Sequence, residues 1–179
     1  MRVPGEGRGG GKWCVSRVRW LDTGGGAGGS EWLRQGNGTP VPEFSEGVSH
    51  CNQSTCSIAN AVGADASPLG NSKGAYSAND QVRNLEKASQ DDESGWRKIN
   101  LSDAQKYAND GSLVIIGLQS SGHGHTVTVR PDPANGNSNN PSLAQVGGLS
   151  TGNGPLTFRQ TFRQSDRSRV EVFVYTGGN

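Results

Sequence analysis

The sequence is poor in hydrophobic residues, which make up 31% of its 179 positions, and aromatic residues account for 6%. No run approaches the roughly 18 apolar residues that a transmembrane helix needs, so we predict no membrane span. The formal net charge is +1, which gives no indication of a nucleic-acid partner or of a basic membrane-binding patch. A chain of this length and composition is expected to form one domain with a modest core.

The N-terminal segment lacks the apolar run of a secretory signal peptide. We therefore expect synthesis in the cytoplasm without a standard signal peptide. Ten of the 28 glycines fall within residues 1–30, and ordering so many glycines costs much backbone entropy. The sequence thus predicts a flexible glycine-rich arm over residues 1–30 and a single domain over residues 31–179.

Cysteine is scarce, and the count of three is odd, which argues against a disulfide framework. One pair with one remaining thiol stays open as an alternative. In that case we expect Cys14 and Cys56 to form the pair, which leaves Cys51 as the thiol.

Cys51 stands where a polar segment gives way to a helix-like run. An apolar stripe that includes Ile58 and Val62 follows it, and Gly63 is the predicted stop of the helix. Unpaired N–H groups and the helix dipole at an N-terminus favour a thiolate over a thiol. Cys51 is therefore the candidate nucleophile. Cys56 is the alternative nucleophile, and an ordinary buried cysteine is the alternative without function.

The rest of the chain predicts two further helices followed by a run of strands. Helices are predicted over residues 81–87, capped by Ser77 or Asn79, and over residues 102–108, capped by Ser102. Strands are predicted over residues 95–99, 113–118, 123–130, 142–146 and 169–175, with loops over 64–75, 131–141 and 147–155. This order predicts an α+β fold, with helices packed on one face of a central antiparallel sheet.

Three short segments carry a family resemblance. They are Cys-Asn-Gln at residues 51–53, the stretch from Ser-Ala-Asn-Asp at 77–80 to Gly-Trp at 95–96, and Gly-His-Gly-His-Thr-Val-Thr-Val at residues 122–129. Over residues 48–175 the chain resembles the papain-like cysteine amidases and peptidases of bacterial cell walls, the group that includes CHAP and NlpC-type enzymes. It departs from that pattern at Thr126, where a small apolar residue is usual, and in the polar residues 54–56.

The resemblance implies cysteine-dependent hydrolysis of an amide bond in peptidoglycan, by a phage-type lysin or a secreted antibacterial toxin. Cys51 would be the nucleophile and His125 the base, with His123 as a neighbour on the rim of the cleft. Gln145 is the expected orienting group for the imidazole. Asp132 and the asparagines at 139 and 140 remain alternatives to Gln145, and neither a metal nor another cofactor is expected.

The substrate implied by this resemblance is the stem peptide of peptidoglycan, and an immunity or delivery protein is a candidate further partner. The site of action would be the bacterial cell wall or the periplasm. The alternative class is a non-catalytic binding module, or one stabilised by zinc. His123 and His125 would face the same side of a strand and, with cysteines, would bind that metal. Trp96 is expected in the core or at the rim, with a substrate platform as the alternative.

Overall fold

The computed structural model describes residues 51–144 and 156–177. Several predictions concern residues outside these ranges: the arm over 1–30, the start of the domain at 31, the position of Cys14, the residue Gln145 and the loop over 147–155. The described residues form four α-helices and eight strands: α1 Cys51–Ala61, α2 Ala78–Ala88, α3 Leu101–Asn109, α4 Phe158–Thr161, β1 Gly70–Asn71, β2 Gly74–Ala75, β3 Trp96–Ile99, β4 Leu113–Leu118, β5 His125–Val129, β6 Ser142–Ala144, β7 Leu156–Thr157 and β8 Glu171–Tyr175.

The ends of the helices follow the local sequence in two of three predicted cases. At α1, Gly63 takes a positive φ of 76°, as a glycine stop predicts. At α2, the hydroxyl of Ser77 accepts a hydrogen bond from the N–H of Asp80, so the Ser77 cap is confirmed. The Ser102 cap of α3 is wrong, because the helix already includes Leu101, whose side chain packs against the apolar core, and Asn100 occupies the cap position.

The main sheet has six strands in the order β3-β8-β4-β5-β6-β7, and every neighbouring pair is antiparallel. The predicted hairpin of β4 and β5 is confirmed, with Leu118 opposite His125 at its turn end. The last strand of the chain, β8, lies between β3 and β4. The fold is therefore α+β with an antiparallel sheet, as the sequence predicts.

Some short elements fall where the sequence predicts a loop or assigns no helix or strand. Strands β1 and β2 form a small antiparallel hairpin inside the predicted loop 64–75. The charged stretch 159–169 contains most of α4 and a 3-10 turn at Arg167–Arg169. Elements of two to four residues leave too short a pattern for periodicity to reveal them.

Both faces of the main sheet are covered by helices, so the prediction of helices on one face is wrong. One cluster of buried side chains joins α1 and α2 to alternate residues of β4, including Leu113 and Ile115. The other joins α3 to the intervening residues of β4, including Val114 and Ile116. Strand β4 is buried along its whole length, and an apolar strand of this kind needs cover on both sides.

Trp96 belongs to the first of these clusters. Its side chain is 1% exposed, and its indole N–H donates a hydrogen bond of 3.0 Å to the carbonyl oxygen of Asp65. The core prediction for Trp96 is therefore confirmed. None of the helices within residues 51–144 and 156–177 has the length and apolar character required to cross a membrane.

Candidate functional site

Cys51 is the first residue of α1, and the residues before it lie outside the described ranges. Its sulfur is a thiol, and the residue is 5% exposed. Its carbonyl oxygen accepts a hydrogen bond of 2.9 Å from the hydroxyl of Thr55. A thiol in the first turn of a helix has the setting in which backbone N–H groups stabilise a thiolate.

Cys56, the alternative nucleophile, is disulfide-bonded and fully buried. Its sulfur is therefore neither a nucleophile nor a zinc ligand. The expectation that an odd count argues against disulfides is wrong for this residue, because an odd count still permits one pair. The partner predicted for it, Cys14, lies outside the described residues.

His125 is the first residue of β5 and is half-buried. Its ring packs edge-on against Phe162, with ring centroids 5.6 Å apart and planes at 65°. His123 is exposed and lies before the strand, where its carbonyl oxygen accepts a hydrogen bond of 2.7 Å from the hydroxyl of Ser120. The expectation that the two histidines share one face of a strand is wrong, because the strand begins at His125.

The turn that leads into His125 is held by the side chain of Asn79, near the start of α2. The Nδ2 of Asn79 donates to the carbonyl oxygens of Ser120 and Gly122, at 3.0 and 3.1 Å. Its Oδ1 accepts from the N–H of Ser120 at 3.1 Å. One amide side chain therefore fixes the backbone from β4 to the turn, directly upstream of His125.

The start of α2 also carries an acidic residue, Asp80, whose carboxylate is bound by two neighbouring side chains. The hydroxyl of Ser77 donates a hydrogen bond of 2.6 Å to Asp80, and Arg83 forms an ion pair with the same carboxylate. The Ser77 hydrogen bond and the nearby guanidinium lower the pKa of Asp80. This arrangement completes the first turn of the helix that carries Asn79.

Gln81, one turn into α2, connects the neighbourhoods of Cys51 and His125. It is fully buried, and its Nε2 donates to the carbonyl oxygens of Asn52 and Leu69, at 2.9 and 2.8 Å. Its Oε1 accepts from the hydroxyl of Thr126 at 2.8 Å. Asn52 directly follows Cys51 and Thr126 directly follows His125, so one amide connects the two segments.

The His125 ring and the Gln81 amide lie on opposite faces of β5. Successive side chains of a strand alternate, so Thr126 points towards α2 while His125 points towards Phe162. The most extensive contacts of α1 among the described elements are with β5. Within the described ranges β6 pairs with β5 at Thr128 and Val129, and the residues that follow Ala144 lie outside those ranges.

The expected orienting group, Gln145, lies outside the described residues. Asp132 forms an ion pair with Arg130 at 2.9 Å and accepts a hydrogen bond of 2.7 Å from the hydroxyl of Ser142. Asn140 accepts from the N–H of Arg159 at 2.8 Å. The N–H of Asn139 donates to the side chain of Asn137 within the loop. Asp132 and the side-chain oxygen of Asn140 thus have partners of their own, and the identity of the orienting group stays a prediction.

Sequence reasoning missed Asn79 and Gln81 as organisers of the site. Gln81 falls on the same helix face as Val82 and Leu85, and all three are buried. A polar side chain on an apolar stripe needs buried partners, and this pattern is the signal by which the sequence could have revealed Gln81. No group of three or more His, Cys, Asp or Glu side chains suited to a metal occurs within the part of the chain that the structure describes.

Comparison of the chain with models of protein families finds no match, and comparison with curated proteins finds none either.

Proposed function

We propose that this protein is a papain-like cysteine amidase or peptidase that cleaves an amide bond of peptidoglycan. The proposal assigns Cys51 as nucleophile, His125 as base and Gln145 as the group that orients the imidazole. The single observation that supports it best is the Gln81 amide, which joins the residue after Cys51 to the residue after His125. The cell-wall substrate is supported by the resemblance of the motifs around Cys51 and His125.

The proposed reaction follows from these assignments. The Cys51 thiolate attacks the carbonyl carbon, and the His125 imidazolium gives its proton to the leaving amine. Water then hydrolyses the thioester, with His125 accepting a proton from the water and Cys51 leaving as thiolate. The backbone N–H of Cys51 is the proposed donor to the oxyanion.

The disulfide at Cys56 supports a site of action outside the cytoplasm, because disulfides persist in oxidising compartments. Action at the cell wall or in the periplasm agrees with that chemistry. A lysin and a toxin are both compatible with it, and a toxin would be accompanied by an immunity or delivery protein.

Purified peptidoglycan digested with the wild-type chain and with Cys51→Ala tests the proposal. We expect fragments released by the wild-type chain and none by the variant, and their masses identify the bond that is cut. Cys56→Ala is the control. It should keep most of the rate of the folded protein while losing about 2–4 kcal/mol of stability with its disulfide.

Circular dichroism spectra that match the wild type must accompany the Cys51→Ala result, so that lost activity reflects lost chemistry. Release of fragments by folded Cys51→Ala would contradict the mechanism. Binding of peptidoglycan without any release by the wild-type chain would instead identify a non-catalytic binding module.

A further inference from the structure

The side chain of Gln81 is placed in its pocket by three hydrogen bonds that leave it one orientation. Two carbonyl oxygens, of Asn52 and Leu69, lie on one side of the amide, so its NH₂ group must face them. Its oxygen then faces Thr126, whose hydroxyl donates to it. A reversed amide would place its oxygen against two carbonyl oxygens, which have no proton to donate.

The bonds of Gln81 differ in what they add to the fold. The Leu69 carbonyl oxygen also accepts from the N–H of Tyr76 at 2.9 Å, so it has a second partner. The bonds to Asn52 and Thr126 join α1 to β5 through α2, across 29 and 45 positions of the chain. These two bonds fix the position of the first turn of α1 along the axis of β5.

We infer that Gln81 is a positioning residue that sets the Cys51 thiol against the His125 imidazole through Asn52 and Thr126, an inference that rests on the proposed function. A proton passes between sulfur and imidazole only when the two are held at hydrogen-bond distance. A slip of α1 by about 1 Å is enough to cost roughly a hundredfold in rate. An apolar side chain at position 81 would fill the space but would not fix the position of α1 along β5.

Strand β5 offers a matched control for the Thr126 hydroxyl. Thr128 lies on the same face of the strand and is also buried, but its hydroxyl has no hydrogen-bond partner among the residues that the structure describes. Thr126→Val therefore removes a bond to Gln81, whereas Thr128→Val removes none. Thr126→Ser keeps the hydroxyl and serves as the conservative variant.

The experiment measures kcat, KM and unfolding midpoint for Gln81→Leu, Thr126→Val and their combination, with Thr128→Val and Thr126→Ser as controls. Gln81→Leu leaves the Thr126 hydroxyl and the carbonyl oxygens of Asn52 and Leu69 without the amide, and Thr126→Val leaves the Gln81 oxygen without its donor. The double variant removes the hydroxyl and the amide oxygen together. The double variant should therefore regain part of the lost stability. If Gln81 positions the site, kcat falls about tenfold to a hundredfold in all three variants while KM stays within about twofold.

The decisive comparison is between stability and rate in the double variant. Regained stability with a rate that remains low supports the inference, because a merely structural role would restore both together. Regained rate, or wild-type kcat in folded Thr126→Val, overturns it. If Gln81→Leu does not fold, Thr126→Val and Thr126→Ser decide between the same outcomes.

The pH dependence of Cys51 alkylation by iodoacetamide separates this inference from the proposed function. In the wild-type chain an imidazolium beside the sulfur should keep alkylation fast below the ordinary pKa of a thiol. Thr126→Val should move that profile towards an ordinary thiol, and Thr128→Val should not. A chain that releases no fragments refutes the peptidoglycan assignment, whereas identical alkylation profiles in wild type and Thr126→Val refute the role of Gln81.

Discussion

Gly124→Ala is a stringent test of how the turn before His125 is built. A Cβ atom at position 124 would lie 2.8 Å from the carbonyl oxygen of Leu118 and 2.9 Å from the backbone nitrogen of Asn79, and it would overlap the Asn79 side-chain oxygen. Two of these atoms belong to the backbone, so no rotamer change relieves the contact. Either the turn must move away from α2 or the Asn79 hydrogen bonds must break.

The magnitude follows from these contacts. Forcing one extra methyl group into a packed site typically costs about 1–3 kcal/mol, and each weakened hydrogen bond of Asn79 adds about 1 kcal/mol. We therefore expect Gly124→Ala to lower the free energy of unfolding by about 2–3 kcal/mol. For a chain of this size, the midpoint of thermal unfolding should fall by roughly 5–10 °C.

Gly122→Ala, two positions earlier in the same turn, is the matched control. A Cβ atom there meets nothing within 4 Å, and its φ is outside the left-handed range. We expect its stability to stay within about 0.5 kcal/mol of the wild type. Thermal unfolding followed by circular dichroism compares the two variants, and equal midpoints would refute the proposed packing of the turn on α2.

Two further predictions concern the histidines and the tryptophan. His125→Asn should abolish hydrolysis of peptidoglycan while His123→Asn retains it, because the strand fixes the first and the second is exposed; the reverse result would exchange their roles. Trp96→Phe should lower the free energy of unfolding by about 2 kcal/mol, since it removes the bond to Asp65 and leaves a space in the core. Urea denaturation measures the second effect, and an unchanged midpoint would show that this burial contributes little.

Local sequence was sufficient where a few neighbouring residues decide the structure. The run at β4 is apolar at nearly every position, which predicts a central strand, and the strand spans the same six residues, Leu113–Leu118. Ser77 and Gly63 mark a helix start and a helix stop through hydrogen bonding and backbone freedom that act within one turn. Cys51 begins α1, as the sequence predicts, and His125 begins β5, while their roles in catalysis stay predictions.

The sequence by itself therefore determined most helices and strands of the described chain. The tertiary structure decided that β8 lies between β3 and β4, that α3 covers the opposite face from α1, and that Cys56 is disulfide-bonded. It also decided the partners of Gln81, one of which is 45 positions away. Periodicity and capping act over a few residues, whereas strand order and buried hydrogen bonds depend on which distant surfaces meet when the chain closes on its core.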